Sequence, residues 1–345
     1  MKILVDELSQ KNDDEFTNFL DSIGHQSHSV LGYHYPFYRD MLVEIGVGHP
    51  VYLGARLNGN LVGFLPAFKR QSLVGEAYCS LPFFGPNAGV LCGNEQLSFD
   101  IHQALLMSLL DRAESTSALS CSIYTPLFFN DFRYYDTAIP NAICVNKFTQ
   151  TIDLRNAKWD KDIRYDIRKA ELKGLKITKE FSSKWFDEFY SIYEQNCQDR
   201  GIPLKPRMGV EALVHESLLG KHTNIYFALY EDQIIGGLLM VWSPLTASYY
   251  IPASLDSMKS LQPITLLIDV AAHEARERGI EIWNWESSPS RDSGVFQFKK
   301  KWGSLESSYR IYVKTFQPES VFQQFGKETL STYFPYYYVY PFDRL

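Results

Sequence analysis

Apolar and polar positions along the chain follow two periods, and the switches between them mark the elements. Residues 51–57 and 61–65 are apolar runs of strand length, separated by Asn58-Gly59. Both turn residues tolerate positive φ, so the pattern predicts a hairpin. It recurs at residues 225–239, where two apolar runs flank Asp232-Gln233, and the two segments align without a gap. The first hairpin is followed by a strand-like segment ending near Leu81-Pro82, a helical pattern over 99–115 and an apolar strand over 119–124. The second is followed by a strand over 248–252 and a helical pattern over 263–278. There Ile264, Leu267, Ile268 and Ala271 share one face, Gly279 stops the helix, and a strand covers 280–285. The order hairpin, strand, helix, strand therefore occurs twice, which predicts an internal duplication.

Between the repeats the spacing predicts three helices. Residues 158–173 place Trp159, Ile163, Ile167 and Ala170 on one face, and Gly174 closes the helix. Residues 184–199 form the second, ending at Arg200-Gly201, and about residues 210–219 the third. No low-complexity linker intervenes, so the halves are expected to share an interface, with domains at 1–150 and 151–345. The fold class expected is α/β (α+β), with mixed sheets flanked by helices.

Charge changes this picture locally. The chain carries a net charge of −6, so it is not a general nucleic-acid binder, and DNA is not an expected partner. Yet residues 158–179 hold eight basic and four acidic side chains. Arg164 and Arg168, at i and i+4, lie opposite the apolar stripe. This cluster suits phosphate, tRNA included, while a solvated helix face with local ion pairs is the plainer alternative. The five cysteines are odd in number and form no CxxC, which fits a reducing cytoplasmic compartment. Acidic residues at positions 6 and 7 interrupt any signal-peptide core, and the longest uncharged apolar run, residues 234–242, is about half the ~18 residues of a membrane span. His25 and His28 are only a loose loop pair, and HExxH, P-loop and GxGxxG patterns are missing, so no metal site is expected. The aromatic tail, residues 333–342, is expected to dock on the C-terminal domain's sheet or a subunit partner. Peripheral contact with a membrane surface is the alternative.

Two segments carry a resemblance. Ile163-Arg164-Tyr165-Asp166-Ile167-Arg168-Lys169-Ala170-Glu171-Leu172-Lys173-Gly174-Leu175 resembles the RxxIRKAxKxG helix of the FemA/FemB family, which makes peptidoglycan cross-bridges. Gly294-Val295-Phe296-Gln297-Phe298-Lys299-Lys300-Lys301-Trp302-Gly303 resembles the family's late GxxxFKxxFG segment, with Trp302 where Phe is usual. The resemblance covers residues 150–310 best. It implies two tandem GNAT-like acyltransferase domains. It also implies transfer of an aminoacyl or acyl group onto an amine of a cell-envelope glycan, or of its nucleotide-sugar or lipid-linked precursor. The donor it implies is aminoacyl-tRNA or acyl-CoA, with no tightly bound cofactor, and the place of action is the cytoplasm or the inner face of the membrane. The chain lacks the coiled-coil arm of the larger members. A CoA-dependent N-acetyltransferase acting on an amino sugar and a non-catalytic GNAT-like binding module are the competing readings.

The resemblance also suggests site residues. Lys299, the Lys of the FK pair, is expected to stabilise an oxyanion from a strand over 296–302 whose faces alternate aromatic and basic. Phe298 beside it is expected to touch substrate. Arg207 falls in the loop where compact members place a cation on the acceptor's diphosphate. Tyr250, on the strand lining the cleft, and Glu286, ending the next strand, are candidates for hydrogen bonding substrate and for accepting the ammonium proton. The place of a CoA pyrophosphate loop, residues 255–262, contains no glycine. Its first-half counterpart, residues 83–89, has glycines in another arrangement. Conventional CoA binding is therefore disfavoured.

Overall fold

The computed structural model describes residues 2–83 and 88–342. Contacts divide the chain into two units, residues 1–147 with 308–345, and residues 148–307. The sequence places all of 151–345 in one domain. The difference arises because the chain leaves the first unit within one long strand and returns within another.

The first unit contains β1 (Leu4–Leu8), α1 (Asp13–Gly24), α2 (Pro36–Glu44), β2 (His49–Pro50), β3 (Tyr52–Leu57), β4 (Asn60–Leu65), β5 (Phe68–Ser72), β6 (Gly75–Ser80), β7 (Leu91–Cys92), α3 (Ser98–Ser115), β8 (Ser120–Tyr124), α4 (Arg133–Ala138) and the start of β9 (Ile143–Asp153). The expected hairpin is β3–β4, with Asn58 and Gly59 both at positive φ. It joins a sheet in the order β1-β3-β4-β7. After β5, the expected strand β6 pairs in parallel with β8 instead, so hairpin and βαβ element lie in different sheets.

The second unit continues with α5 (Lys161–Leu172), β10 (Lys176–Thr178), α6 (Ser183–Arg200), α7 (Arg207–Leu213), β11 (Thr223–Tyr230), β12 (Gln233–Trp242), β13 (Thr246–Ser254), α8 (Pro263–Glu277), β14 (Ile282–Ser287) and α9 (Gly294–Lys301). Its sheet runs β10-β11-β12-β13-β14-β9, antiparallel except for β13–β14. The caps are those the sequence offers. Asp160 accepts from the Ile163 N–H at 2.9 Å to start α5, and Gly174 at φ 84° ends it. Ser182 and Gly201 do the same for α6. Leu238, Met240 and Trp242 alternate onto one sheet face and share a core with Leu267, Ile268 and Ala271 of α8. Gly237 points to the other face. A Cβ there would sit 2.5 Å from the Phe189 ring, so the missing side chain lets α6 lie against the sheet.

The second hairpin turns on Glu231-Asp232, both at positive φ, and not on Asp232-Gln233. Counting from the turns, Ala55–Gly63 corresponds to Ala228–Gly236, and each hairpin carries a bulge at the same level. The ungapped alignment is thus one residue out of step, which exchanges the faces of a strand.

The chain returns to the first unit through β15 (Leu305–Thr315), which pairs antiparallel with β8, and ends in α10 (Glu319–Tyr333) and the aromatic tail. All of residues 333–342 are buried or half-buried. Ser120 Oγ donates to the Val339 carbonyl at 2.6 Å, and Ser122 Oγ donates to that of Tyr338. The tail therefore docks on the first unit's sheet and not on the second unit, as 151–345 would have it. No helix of the described residues is long and apolar enough to cross a membrane.

Candidate active site

The second unit's two parallel strands pair over only three rungs, Thr246–Ile282, Ala247–Trp283 and Ser248–Asn284. Beyond the last rung both strands are bulged. On β13 the register against β12 shifts around Tyr250, and on β14 the register against β9 shifts around Trp285-Glu286. Bulges re-aim side chains and end pairing. Here they part the strands at one level, and Glu286 takes φ 62°, a left-handed backbone that costs a non-glycine residue about 1 kcal/mol or more.

Asn284, fully buried at the last rung, holds this arrangement. Its amide donates to Glu286 Oε1 at 2.7 Å and to Ser248 Oγ at 3.3 Å. Its carbonyl oxygen accepts from the Glu286 N–H at 3.1 Å and from Thr149 Oγ1 at 3.2 Å. One side chain thus fixes both backbone and carboxylate of Glu286.

Two lysines feel the charge of that carboxylate. Lys299, 3% exposed, donates to the Glu286 carbonyl at 3.1 Å, the Ser287 carbonyl at 2.9 Å and Ser288 Oγ at 3.1 Å. An ammonium has three donors, so all of them are engaged in closing the end of β14. Lys205 comes from the loop between α6 and α7. Its backbone N–H donates to Tyr193 Oη at 3.2 Å, and its carbonyl accepts from Tyr190 Oη at 2.9 Å. Its ammonium lies 4.8 Å from the Tyr250 ring centroid. Loss of hydration lowers both lysines to about 8, and the Glu286 charge opposes the shift in each.

The segment expected as a strand over 296–302 is a helix, α9. Ser293 Oγ accepts from the Phe296 N–H at 3.2 Å, and Gly303 at φ 81° stops it. The alternation of Phe and polar residues spans only four positions. Phe296, Lys299 and Trp302 then fall inward at helical spacing, while Lys300 and Lys301 are exposed. Gln150 clamps the helix by donating to the Phe296 carbonyl at 3.3 Å and accepting from Ser288 Oγ at 3.0 Å. Phe298 packs on Trp285 and Trp302 at the edge of the core.

The structure therefore brings Lys299, Glu286 and Tyr250 together. It does not add the other candidates to this group. Arg207 pairs with Asp187 and with Glu211, the latter at 2.7 Å, and lies over the Phe186 and Tyr190 rings. Arg164 and Arg168 are exposed on α5, which packs on α8. Sequence reasoning missed Lys205 and Asn284. Both left a signal. Lys205 stands between Pro203 and Pro206, in a stiff loop, and Asn284 is the polar residue inside the apolar run Ile282-Trp283-Asn284-Trp285.

The approach to α8 also bears on the donor. Residues Asp256–Leu261 form a tight 3-10 turn tied by Asp256 to Arg200 and Lys259. Gln262 follows at φ 61°, and Pro263, without an N–H, is the first helical residue. This start offers fewer backbone donors to a pyrophosphate than a glycine loop does. The first-half counterpart at residues 83–89 lies largely outside the described residues. Among the described residues no three His, Cys, Asp or Glu side chains could together hold a metal ion.

Residues 157–284 match the acetyltransferase (GNAT) domain family. No curated protein matches the chain at the sequence level. Among solved structures, FemX is similar over 94% of this chain and 99% of its own, at 11% identity and a TM-score of 0.70. The C-terminal domain of a protein named as a lysylphosphatidylglycerol synthetase from Agrobacterium fabrum is similar over 93% and 96%, at 12% identity and a TM-score of 0.60. A tandem GNAT protein from the clavulanic acid biosynthesis pathway is similar over 92% and 100%, at 10% identity and a TM-score of 0.55. The chain thus has a FemX-like tandem GNAT fold and carries, at residues 157–284, an acyltransferase domain of the GNAT class.

Proposed function

We propose that the second unit transfers an acyl or aminoacyl group onto an amine of a cell-envelope component, a glycan or its nucleotide- or lipid-linked precursor. One observation carries this reading. A carboxylate in a strained backbone sits where two parallel strands part, within the electrostatic reach of two lysines, Lys299 buried and Lys205 half-buried. The likeness to FemX and to a domain named for lysylphosphatidylglycerol synthesis supports the envelope as the setting. In this reading the Glu286 carboxylate takes the proton from the attacking ammonium. The amine nitrogen bonds the carbonyl carbon, and the Lys205 ammonium stabilises the oxyanion that forms. The ester or thioester bond then breaks, the proton on Glu286 passes to the leaving group, and the excess proton left on the new amide nitrogen is released to solvent. Lys299 positions Glu286 and does not meet the oxyanion, since its donors already hold the end of β14.

The Pro263 start of α8 favours aminoacyl-tRNA over acyl-CoA as donor. Thermal shifts with acetyl-CoA, UDP-linked amino sugars and aminoacyl-tRNA test this, because a ligand of the native state raises apparent stability. The expected result is a shift with aminoacyl-tRNA and an acceptor sugar, and weak acetyl-CoA binding. Tight calorimetric binding of acetyl-CoA at α8 would establish the amino-sugar N-acetyltransferase reading instead. Full transfer by a Glu286→Gln variant would remove Glu286 from the chemistry.

A further inference from the structure

We propose that the outer face of α5 docks the protein on a membrane surface bearing anionic lipid. Successive residues of a helix turn by about 100°. Measured from the buried Ile163 and Ala170, the opposite crest of α5 holds Lys161, Arg164, Tyr165, Arg168 and Leu172, all exposed. Of the helix's acids, Asp166 lies toward the packed side, while Asp162 and Glu171 border the crest, Glu171 angularly beside Arg164. Three cations therefore stand together on the crest, with the acids Asp162 and Glu171 at its margins.

Their charge is left uncompensated by the rest of the unit. Arg155, Arg200, Arg207, Arg278 and Arg291 each pair with a carboxylate. Among the described residues, Lys161, Arg164 and Arg168 form no ion pair, and Arg164 reaches only the Asp160 carbonyl, at 3.3 Å. A chain with net charge −6 thus keeps a cationic ridge on α5. It attracts an anionic surface locally, within about a Debye length.

The apolar members of the crest decide which surface. Tyr165 is 66% exposed and Leu172 78%. Isolated exposed apolar residues are ordinary. Set between cations on one helix crest, they have the composition of a helix lying in a lipid headgroup layer, with Leu entering the acyl boundary and Tyr at the interface. A nucleic acid would use the cations and could stack on Tyr165, but it would leave Leu172 in water. A lipid surface uses every residue of the crest. The proposal stands on the surface alone and does not depend on the transfer reaction.

Co-sedimentation of the full chain with vesicles tests it. Binding is expected to phosphatidylcholine vesicles containing phosphatidylglycerol and not to phosphatidylcholine alone, and it should weaken with salt. The Lys161→Gln/Arg164→Gln/Arg168→Gln variant should bind at least about tenfold more weakly. Leu172→Ser should weaken binding several-fold with its charge intact. Lys11→Gln/Lys221→Gln/Lys327→Gln, which removes the same charge elsewhere, should bind like the parent. All of these positions are exposed, and melting temperatures will confirm that each variant folds. Absence of vesicle binding by the parent would overturn the proposal, as would equal binding by the α5 and control variants. Binding unaltered by Leu172→Ser would also overturn it, by reducing the contact to charge. Binding of an RNA hairpin through the same cations, without vesicle binding, would assign the ridge to RNA.

Discussion

Lys205 and Glu286 carry the consequences that single residues can test. An ammonium lowered to about 8 is charged below that pH and neutral above it. If its charge stabilises the oxyanion, turnover should fall as pH rises through about 8. A guanidinium stays charged there. Lys205→Arg should therefore keep its rate above pH 8, even from a lower plateau, and a pH profile of kcat/KM will show it. An unmoved alkaline limb would point to Lys299, which titrates in the same range. At Glu286 the backbone and the carboxylate can be separated. Glu286→Ala and Glu286→Gly both remove the carboxylate, but only glycine is at ease at φ 62°. The glycine variant should be the more stable by about 1 kcal/mol in chemical denaturation, with both equally inactive.

At the scale of elements, the sheet of the second unit depends on a close approach. Gly237 on β12 faces the Phe189 ring of α6, and a Cβ would come within 2.5 Å of it and 3.0 Å of the Tyr226 carbonyl oxygen. Gly237→Ala should destabilise the fold by about 1–3 kcal/mol, read from urea denaturation. Adding Phe189→Leu should recover part of that loss, because the clash is with the ring and side chains in contact are not additive. The effect reaches the site, since the same helix supplies Tyr190 and Tyr193, which hold Lys205. The combined variant should therefore regain activity along with stability.

Over the whole molecule, the chain order and the units do not coincide. Residues 308–345 complete the first unit, although 160 residues of the second separate them from its remainder. Phe322, Leu330, Phe334 and Val339 share a core with Ala77 and Leu119. Ending the chain at residue 317 would expose that core and leave Ser120 and Ser122 without their acceptors. Such a truncation should yield a protein whose first unit is cleaved rapidly in limited proteolysis, while residues 148–307 resist. Equal resistance of both units would show that α10 and the tail are dispensable.

Much of this was legible in the residues themselves. Asn58-Gly59 makes a hairpin wherever it stands between apolar runs, because its φ preferences are local. The limits of α5, α6 and α8 follow from Asp160, Ser182 and Pro263 at their starts and glycines at their ends, and the expected bounds came within a few residues. Glu286, Tyr250 and Lys299 were named from the order of elements and a family resemblance. Tertiary structure decided the rest, for reasons that no local pattern contains. A bulge is fixed by the partner strand's register, so the parting at Tyr250 and Glu286 was not visible in either strand alone. Lys205 joins Glu286 across about eighty residues of chain, and only packing brings such positions together. Four residues of alternation suggested a strand at 296–302, but burial of Phe296, Lys299 and Trp302 made it a helix. The tail is apolar enough for several surfaces, and its place was chosen by serines of β8, a strand some two hundred residues earlier in the chain. Local chemistry thus determined the elements, while long-range pairing and burial determined which side chains meet.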